Sequence, residues 1–169
     1  MTTLAYVGLG SNLAHPRRRI ARALRSLARL PGTKLVDVSR NYRSAPIGTP
    51  GEQPDYVNAV AALSTSLSPH ALLAQLLVIE RRQGRRRTVD TPRNAARTLD
   101  LDLLLYGGRR LHSATLTIPH PRMHERAFVL RPLLDIAPAV RIPRKGLARW
   151  LHQALRSQRI APTRRHHLH

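Results

Sequence analysis

The chain has 169 residues, about the length of one compact domain, and its 42% hydrophobic content excludes a wholly disordered chain. It carries 29 Lys and Arg against 9 Asp and Glu, so the formal net charge of +20 excludes an acidic protein. The charge fits nucleic acid, a phosphate-rich ligand or an anionic membrane as a partner, and it fits a chain-wide compositional bias toward arginine equally well. The absence of cysteine excludes a disulfide framework and thiolate chemistry. The N-terminus lacks the basic region and apolar length of a signal peptide or a membrane span, so we expect a cytoplasmic protein.

The predicted elements alternate between strands and helices. Apolar runs and turn residues predict, in chain order, a strand over 4–9, a helix from 16 to 30, a strand over 35–42, a strand over 56–63, a helix from 69 to 83, a strand over 98–106, a short strand at 116–118 and a helix over 150–155. Gly8-Leu9-Gly10 is interpreted as a turn, since it lacks the third glycine of a phosphate-binding loop. The order β-α-β-β-α-β is typical of a ferredoxin-like α+β sandwich, with helices on one face of a mainly antiparallel sheet. We expect one domain over 1–160 and a mobile, basic and His-rich tail over 161–169.

Two carboxylates stand out in this basic chain, within the sequence Arg97-Thr98-Leu99-Asp100-Leu101-Asp102. On a strand, Asp100 and Asp102 face the same way about 7 Å apart, and two such charges repel by about 2 kcal/mol at an effective dielectric constant of about 20. A cation between them would remove that cost, and Mg²⁺ is usually bound by one or two carboxylates plus substrate phosphates. The alternative is a solvent-facing pair that partners nearby arginines.

A cluster of arginines precedes the two aspartates: Arg85, Arg86, Arg87, Arg93 and Arg97. Carboxylates with a metal, together with guanidinium groups, are what phosphoryl transfer requires. A run of arginines by itself also fits a solvated loop, so it is the arginines together with the two aspartates that indicate phosphoryl transfer. The rival interpretation is an RNA-binding module on a ferredoxin-like sheet, which uses strand aromatics. Only 4% of this chain is aromatic, which disfavours it.

The chain resembles the 6-hydroxymethyl-7,8-dihydropterin pyrophosphokinase family of folate biosynthesis from about Leu4 to Pro143. The strings that carry the resemblance are Gly10-Ser11-Asn12, Tyr42-Arg43-Ser44, Gln53 to Ala59, Glu80 to Arg87, Arg97 to Asp102, and Pro119-His120 to Phe128. The resemblance implies a ferredoxin-like fold and transfer of the pyrophosphoryl group of ATP to the hydroxymethyl oxygen of the pterin, with release of AMP. It also implies a monomer with small-molecule substrates and no specific nucleic-acid partner or membrane.

The resemblance further implies roles for individual residues. Asp100 and Asp102 would hold two Mg²⁺ ions that bridge the ATP phosphates, and Arg85 and Arg97 would stabilise the transition state. The ATP site would also include Glu80, Arg87, Leu103, Thr117, His120 and Arg126. The pterin site would be formed by Ser44, Ala45, Pro46, Ile47, Tyr56, Asn58 and Phe128. On pattern alone, Phe128 fits a core position equally well.

Three positions depart from the family pattern. Ala45 replaces a proline, Pro121 replaces a tyrosine, and a tryptophan common in the arginine loop is replaced by Asn94 or a neighbour. These changes leave the implied chemistry in place and alter the expected stacking contacts.

Overall fold

An antiparallel sheet forms the centre of the computed structural model, which describes residues 1–12, 15–45, 55–83 and 99–163. In chain order the elements are β1 (Thr3–Ser11), α1 (Pro16–Ala28), β2 (Thr33–Val38), β3 (Tyr42–Ser44), β4 (Tyr56–Thr65), α2 (Pro69–Arg82), β5 (Asp100–Tyr106), β6 (Leu111–His112), β7 (Thr117–Ile118), a 3-10 helix (Met123–Glu125), α3 (Ala127–Ile136), β8 (Arg141–Ile142), β9 (Gly146–Leu147), α4 (Ala148–Gln153) and β10 (Ile160–Pro162). Among these described helices, none is long and apolar enough to cross a membrane.

The main sheet has the order β10-β3-β4-β1-β5, and β2 pairs with the other half of β4. The pairings of β1 with β4 and β5, and of β4 with β2 and β3, are all antiparallel. Since β2 and β3 lie along the two halves of one neighbour, they act together as a single strand of the sheet. The predicted βαββαβ order is therefore confirmed as an α+β fold.

The predicted second strand is interrupted at Ser39. Its backbone N–H donates to the Val60 carbonyl (2.9 Å), and its hydroxyl accepts the Val60 N–H (2.8 Å). The side chain thus replaces a backbone partner of β4, and the chain bends between β2 and β3. The local apolar pattern of the sequence does not reveal that the Ser39 hydroxyl takes the place of a backbone partner.

One face of the sheet packs against α1 and α2. Alternate residues of β1, namely Ala5, Val7 and Leu9, are almost fully buried on that face. They belong to one core cluster with side chains of both helices: Ile20, Ala23 and Leu27 of α1, and Leu72, Leu76 and Ile79 of α2. Helix α2 begins as predicted, because the Ser68 hydroxyl accepts the Ala71 N–H (3.2 Å) and Pro69 occupies its first turn.

The opposite face is partly covered by α3 and α4, so the expectation of helices on one face only was wrong. A second core cluster contains Val60 and Leu104 from the sheet and Leu130 and Leu133 from α3. The sequence did not predict α3, because Pro132 lies inside it and a proline normally argues against a helix interior. Among the described residues, the remainder of this second face is left uncovered.

Candidate active site

A cleft of about 500 Å³ lies on the second face of the sheet. Its floor is formed by β1, β4 and β5, and its wall by the segment from Arg122 to Val129 together with Gln158. The predicted site residues that line it are Ser44, Tyr56, Asn58, Asp100, Asp102, Arg126 and Phe128. The structure therefore brings the two aspartates together with most of the described residues assigned to the pterin.

Two glycines of β1 form the centre of the floor. Gly10 pairs with Asn58 on one side and Asp100 on the other, and Gly8 pairs with Asp102. A Cβ atom on Gly10 would lie 3.3 Å from Oδ1 of Asn58, closer than most side-chain contacts. The interpretation of Gly8-Leu9-Gly10 as a turn was wrong, since these residues pair with strands on both sides and leave the space above the strand open.

The alternation predicted for β5 is confirmed. Leu101 and Leu103 are buried in the core, whereas Asp100 and Asp102 line the cleft. The Asp102 side chain is 45% exposed. Between the two aspartates, the Leu101 N–H donates to the buried Glu80 carboxylate of α2 (2.7 Å). This bond holds the backbone that carries both cleft carboxylates.

The end of the cleft near β3 holds a buried amide. Asn58 is 5% exposed, and its Nδ2 donates to Oγ of Ser44 (2.7 Å), which is 6% exposed. The bond joins β4 to β3 and fixes the orientation of the Asn58 amide beside Gly10 and Tyr56. An oriented amide next to aromatic side chains is suited to the polar edge of a flat heterocycle.

The wall of the cleft combines a cation with an aromatic ring. The Arg126 guanidinium lies over the Phe128 ring, 5.5 Å from its centroid. Phe128 is half-buried: it packs against the second core cluster and also lines the cleft. Arg126 and Arg122 supply positive charge on the wall that the two aspartates face.

His120 lies beside the cleft, and its hydrogen bonding fixes which ring nitrogen carries the proton. Its Nδ1 accepts the Arg122 N–H (3.2 Å), so the proton of the neutral ring is on Nε2, which lies 4.0 Å from Oδ1 of Asp102. Burial, followed by the charges of Arg126 and Arg122, lowers the pKa of His120 to about 4. The ring is therefore neutral at pH 7, and its contact with Asp102 is not an ion pair there. His120 and Thr117 line a neighbouring cavity of about 360 Å³.

The other predicted residues lie elsewhere. Glu80 and Leu103 are buried, the first under β5 and the second in the core of the first face, and Ala45 is exposed beside Ser44. Five of the assigned site residues lie outside the described residues: Pro46, Ile47, Arg85, Arg87 and Arg97. The other arginines of the predicted cluster, Arg86 and Arg93, also lie outside them, as do Asn94 and positions 164–169 of the expected tail.

Nine residues that line the cleft were not predicted from the sequence: the apolar Leu9, Ala59, Val60 and Val129, and Gly8, Gly10, Arg122, Glu125 and Gln158. The spacing of the two glycines could have indicated a strand, because residues two apart lie on the same face of a strand. Arg122 and Glu125 lie between the predicted His120 and Arg126. Gln158 follows the part of the chain covered by the resemblance, and no local pattern marks it.

The carboxylates of Asp100 and Asp102 fit a hard divalent cation that arrives with a nucleotide. Among the described residues, no group of three or more His, Cys, Asp or Glu side chains could hold a metal ion by itself. Two carboxylates with additional oxygens from substrate phosphates are the usual Mg²⁺ ligands in phosphoryl transfer. The donor set therefore suits a metal completed by its substrate.

Comparisons with known proteins identify the family of the chain. The family model described as 7,8-dihydro-6-hydroxymethylpterin-pyrophosphokinase (HPPK) matches residues 6–138. A 2-amino-4-hydroxy-6-hydroxymethyldihydropteridine pyrophosphokinase of Pseudomonas aeruginosa is 52% identical over 143 residues, which cover 85% of this chain and 86% of that protein. The enzyme of the same name from Haemophilus influenzae is 49% identical and covers 82% of this chain and 84% of its own length.

Solved structures support the fold. The HPPK-DHPS of Plasmodium falciparum crystallised with pteroate has a TM-score of 0.72 at 14% identity, over 93% of this chain. This chain spans only 43% of that protein, so the likeness concerns the fold of one part of it. With a family match over most of its length and relatives at about half identity, the chain belongs to the 7,8-dihydro-6-hydroxymethylpterin-pyrophosphokinase family.

Proposed function

We propose that the cleft is the site at which this chain, an ATP-dependent pyrophosphokinase, transfers the pyrophosphoryl group of ATP to the hydroxymethyl group of 6-hydroxymethyl-7,8-dihydropterin. The observation that carries the proposal is the position of two carboxylates and an oriented amide in one cleft, on either side of Gly10. The two carboxylates can hold a metal–phosphate group, and the amide can hold the polar edge of a heterocycle.

The pterin binds at the Asn58 end. The Asn58 amide offers a donor and an acceptor to the polar edge of the ring, and its bond to Ser44 sets which atom faces the cleft. Tyr56 and Phe128 line the flat faces. Gly10 provides the room for the ring, since any side chain there would meet Asn58.

The triphosphate binds at the aspartate end. Asp100 and Asp102 would hold two Mg²⁺ ions, which neutralise the phosphate oxygens and orient the pyrophosphoryl group when bound. Arg126 lies on the facing wall and contacts the nucleotide, and His120 presents its Nε2–H on the same side. Arg85, Arg87 and Arg97 are assigned to the phosphates by the resemblance, with Arg85 and Arg97 stabilising the transition state. Glu80, Leu103 and Thr117 keep their assignment to the ATP site.

The reaction forms one P–O bond, breaks another and releases one proton. The hydroxymethyl oxygen of the pterin attacks the β-phosphorus of ATP, and the bond from that phosphorus to the oxygen it shares with the α-phosphate breaks. The hydroxyl proton is released and AMP leaves. Residues that hold the two substrates in line supply the larger part of catalysis in such a transfer. We further propose that the enzyme acts as a monomer in the cytoplasm, as expected from the sequence.

The test is the identity of the nucleotide product. Purified protein with ATP, Mg²⁺ and the reduced hydroxymethylpterin should release AMP in equal amount with the pterin diphosphate, measured by ³¹P NMR and chromatography. Reactions without pterin, or with EDTA, should release none. ADP as the product, or no consumption of fresh substrate, would overturn the proposal. Family membership already favours this activity over the RNA-binding module considered from the sequence.

A further inference from the structure

Gln158 lies beyond residues 6–138, to which the family model is matched, yet it lines the cleft. Its side-chain amide makes two hydrogen bonds to backbone that lies about 30 residues earlier in the chain. Oε1 accepts the Ala127 N–H (2.8 Å), and Nε2 donates to the Glu125 carbonyl (2.7 Å). Both polar ends of the amide are thus satisfied by the same short segment.

The two bonds enclose Arg126. This residue is the N-cap of α3, and its side chain makes no capping hydrogen bond. The first N–H groups of a helix need partners from outside it, and Gln158 provides one for Ala127. The bond to Glu125 holds the carbonyl on the other side of Arg126. The backbone is therefore fixed both before and after the residue whose guanidinium lies over Phe128.

The same C-terminal segment also holds the other end of the cleft. Strand β10 begins two residues after Gln158, and its Ile160 pairs with Ser44 of β3. A further backbone bond runs from the Thr163 N–H to the Asn41 carbonyl (3.0 Å). Residues 158–163 therefore connect the wall that carries Arg126 with the strand that carries Ser44, the partner of Asn58.

We propose that Gln158 is a positioning residue that sets the direction of Arg126 toward the substrates, with β10 aligning Ser44 in the same segment. This inference rests on the proposed function, because its effect on rate requires the pyrophosphokinase reaction. Gln158 itself acts through backbone groups and needs no contact with either substrate. Its influence should therefore depend on the presence of the Arg126 side chain.

A double-mutant cycle tests this dependence. Gln158→Leu keeps much of the side-chain volume and removes both hydrogen bonds, so kcat/KM should fall about tenfold. In the Arg126→Ala background, the same change should lower kcat/KM less than about twofold. Gln153→Leu is the matched control, since Gln153 is an exposed residue at the end of α4, and it should keep the wild-type rate. If Gln158→Leu does not fold, Gln158→Glu replaces it, because a carboxylate can accept from Ala127 but cannot donate to Glu125.

Two readouts do not depend on turnover. Hydrogen exchange of the Ala127 amide should accelerate in Gln158→Leu while the amides of β1 stay protected, and the affinity for a non-hydrolysable ATP analogue should fall by a similar factor to kcat/KM. Wild-type protein that releases no AMP would refute the proposed function, whereas these two readouts would still report on the two hydrogen bonds that Gln158 makes around Arg126. Equal losses in both Arg126 backgrounds, an unchanged Ala127 amide, or a rate equal to that of Gln153→Leu would each overturn the positioning role.

Discussion

Ser44→Ala removes the hydroxyl that accepts a hydrogen bond from the buried Asn58 amide. The bond is 2.7 Å long, and both residues are less than one-tenth exposed, so Nδ2 of Asn58 loses that acceptor in a place where water does not easily replace it. An unsatisfied buried donor costs about 1–3 kcal/mol, whereas deleting one small side-chain atom leaves little cavity. We expect the free energy of unfolding to fall by about 1–3 kcal/mol, which lowers Tm by roughly 2–4 °C for each kcal/mol in a chain of this size.

The functional effect should be confined to one substrate. Without Ser44 Oγ the Asn58 amide can rotate, so the KM for the pterin should rise about tenfold while the KM for ATP stays unchanged. Urea unfolding followed by circular dichroism gives the stability, and initial rates of AMP release with each substrate varied in turn give the two constants.

Ser64→Ala provides the matched control for this change. Ser64 lies on β4 like Asn58 but at the other end of the strand, opposite Leu4, and its substitution should change stability by less than about 0.5 kcal/mol. The reasoning would be refuted if Ser44→Ala cost no more than Ser64→Ala, or if both KM values rose together. A double-mutant cycle of Ser44→Ala with Asn58→Ala should give a coupling energy of about 0.5–3 kcal/mol.

Three further changes test other parts of the site and fold. Asp102→Asn should lower kcat by more than about a hundredfold with Tm within a few degrees of wild type, and near-normal AMP release would contradict the metal assignment. Gly10→Val places a branched side chain against Oδ1 of Asn58, so the pterin KM should rise more than about tenfold in a folded protein; unchanged binding by calorimetry would show that the ring does not lie over β1. Ser68→Ala removes the cap on the Ala71 N–H and should cost about 1 kcal/mol in urea unfolding with kcat unchanged, and a neutral result would mean that the cap contributes nothing.

The parts of the fold that sequence predicted well are those with a local periodic signal. Asp100 and Asp102 alternate with buried leucines, and a strand with one apolar face must place both carboxylates on the other. The signal for the start of α2 is equally local, because a serine cap followed by proline acts within one helical turn.

The parts that sequence did not predict depend on contacts between distant residues. Gly8 and Gly10 favour turns by their own propensity, but pairing with β4 on one side and β5 on the other keeps them in a strand. Pro132 is tolerated in α3 because the helix is buried against Val60 and Leu104. The role of Gln158 depends on a meeting of residues about 30 positions apart, for which the chain carries no local pattern.

Strand β5, which carries both cleft carboxylates, is the last strand of the described main sheet. An uncovered sheet edge can pair with a strand of another molecule and lead to aggregation. Here the Glu80 carboxylate accepts a hydrogen bond from the Leu101 N–H, and the His120 N–H donates one to the Leu104 carbonyl (2.9 Å). These two bonds occupy backbone groups of β5 that could otherwise pair with a foreign strand, on the same strand that presents two carboxylates to the cleft.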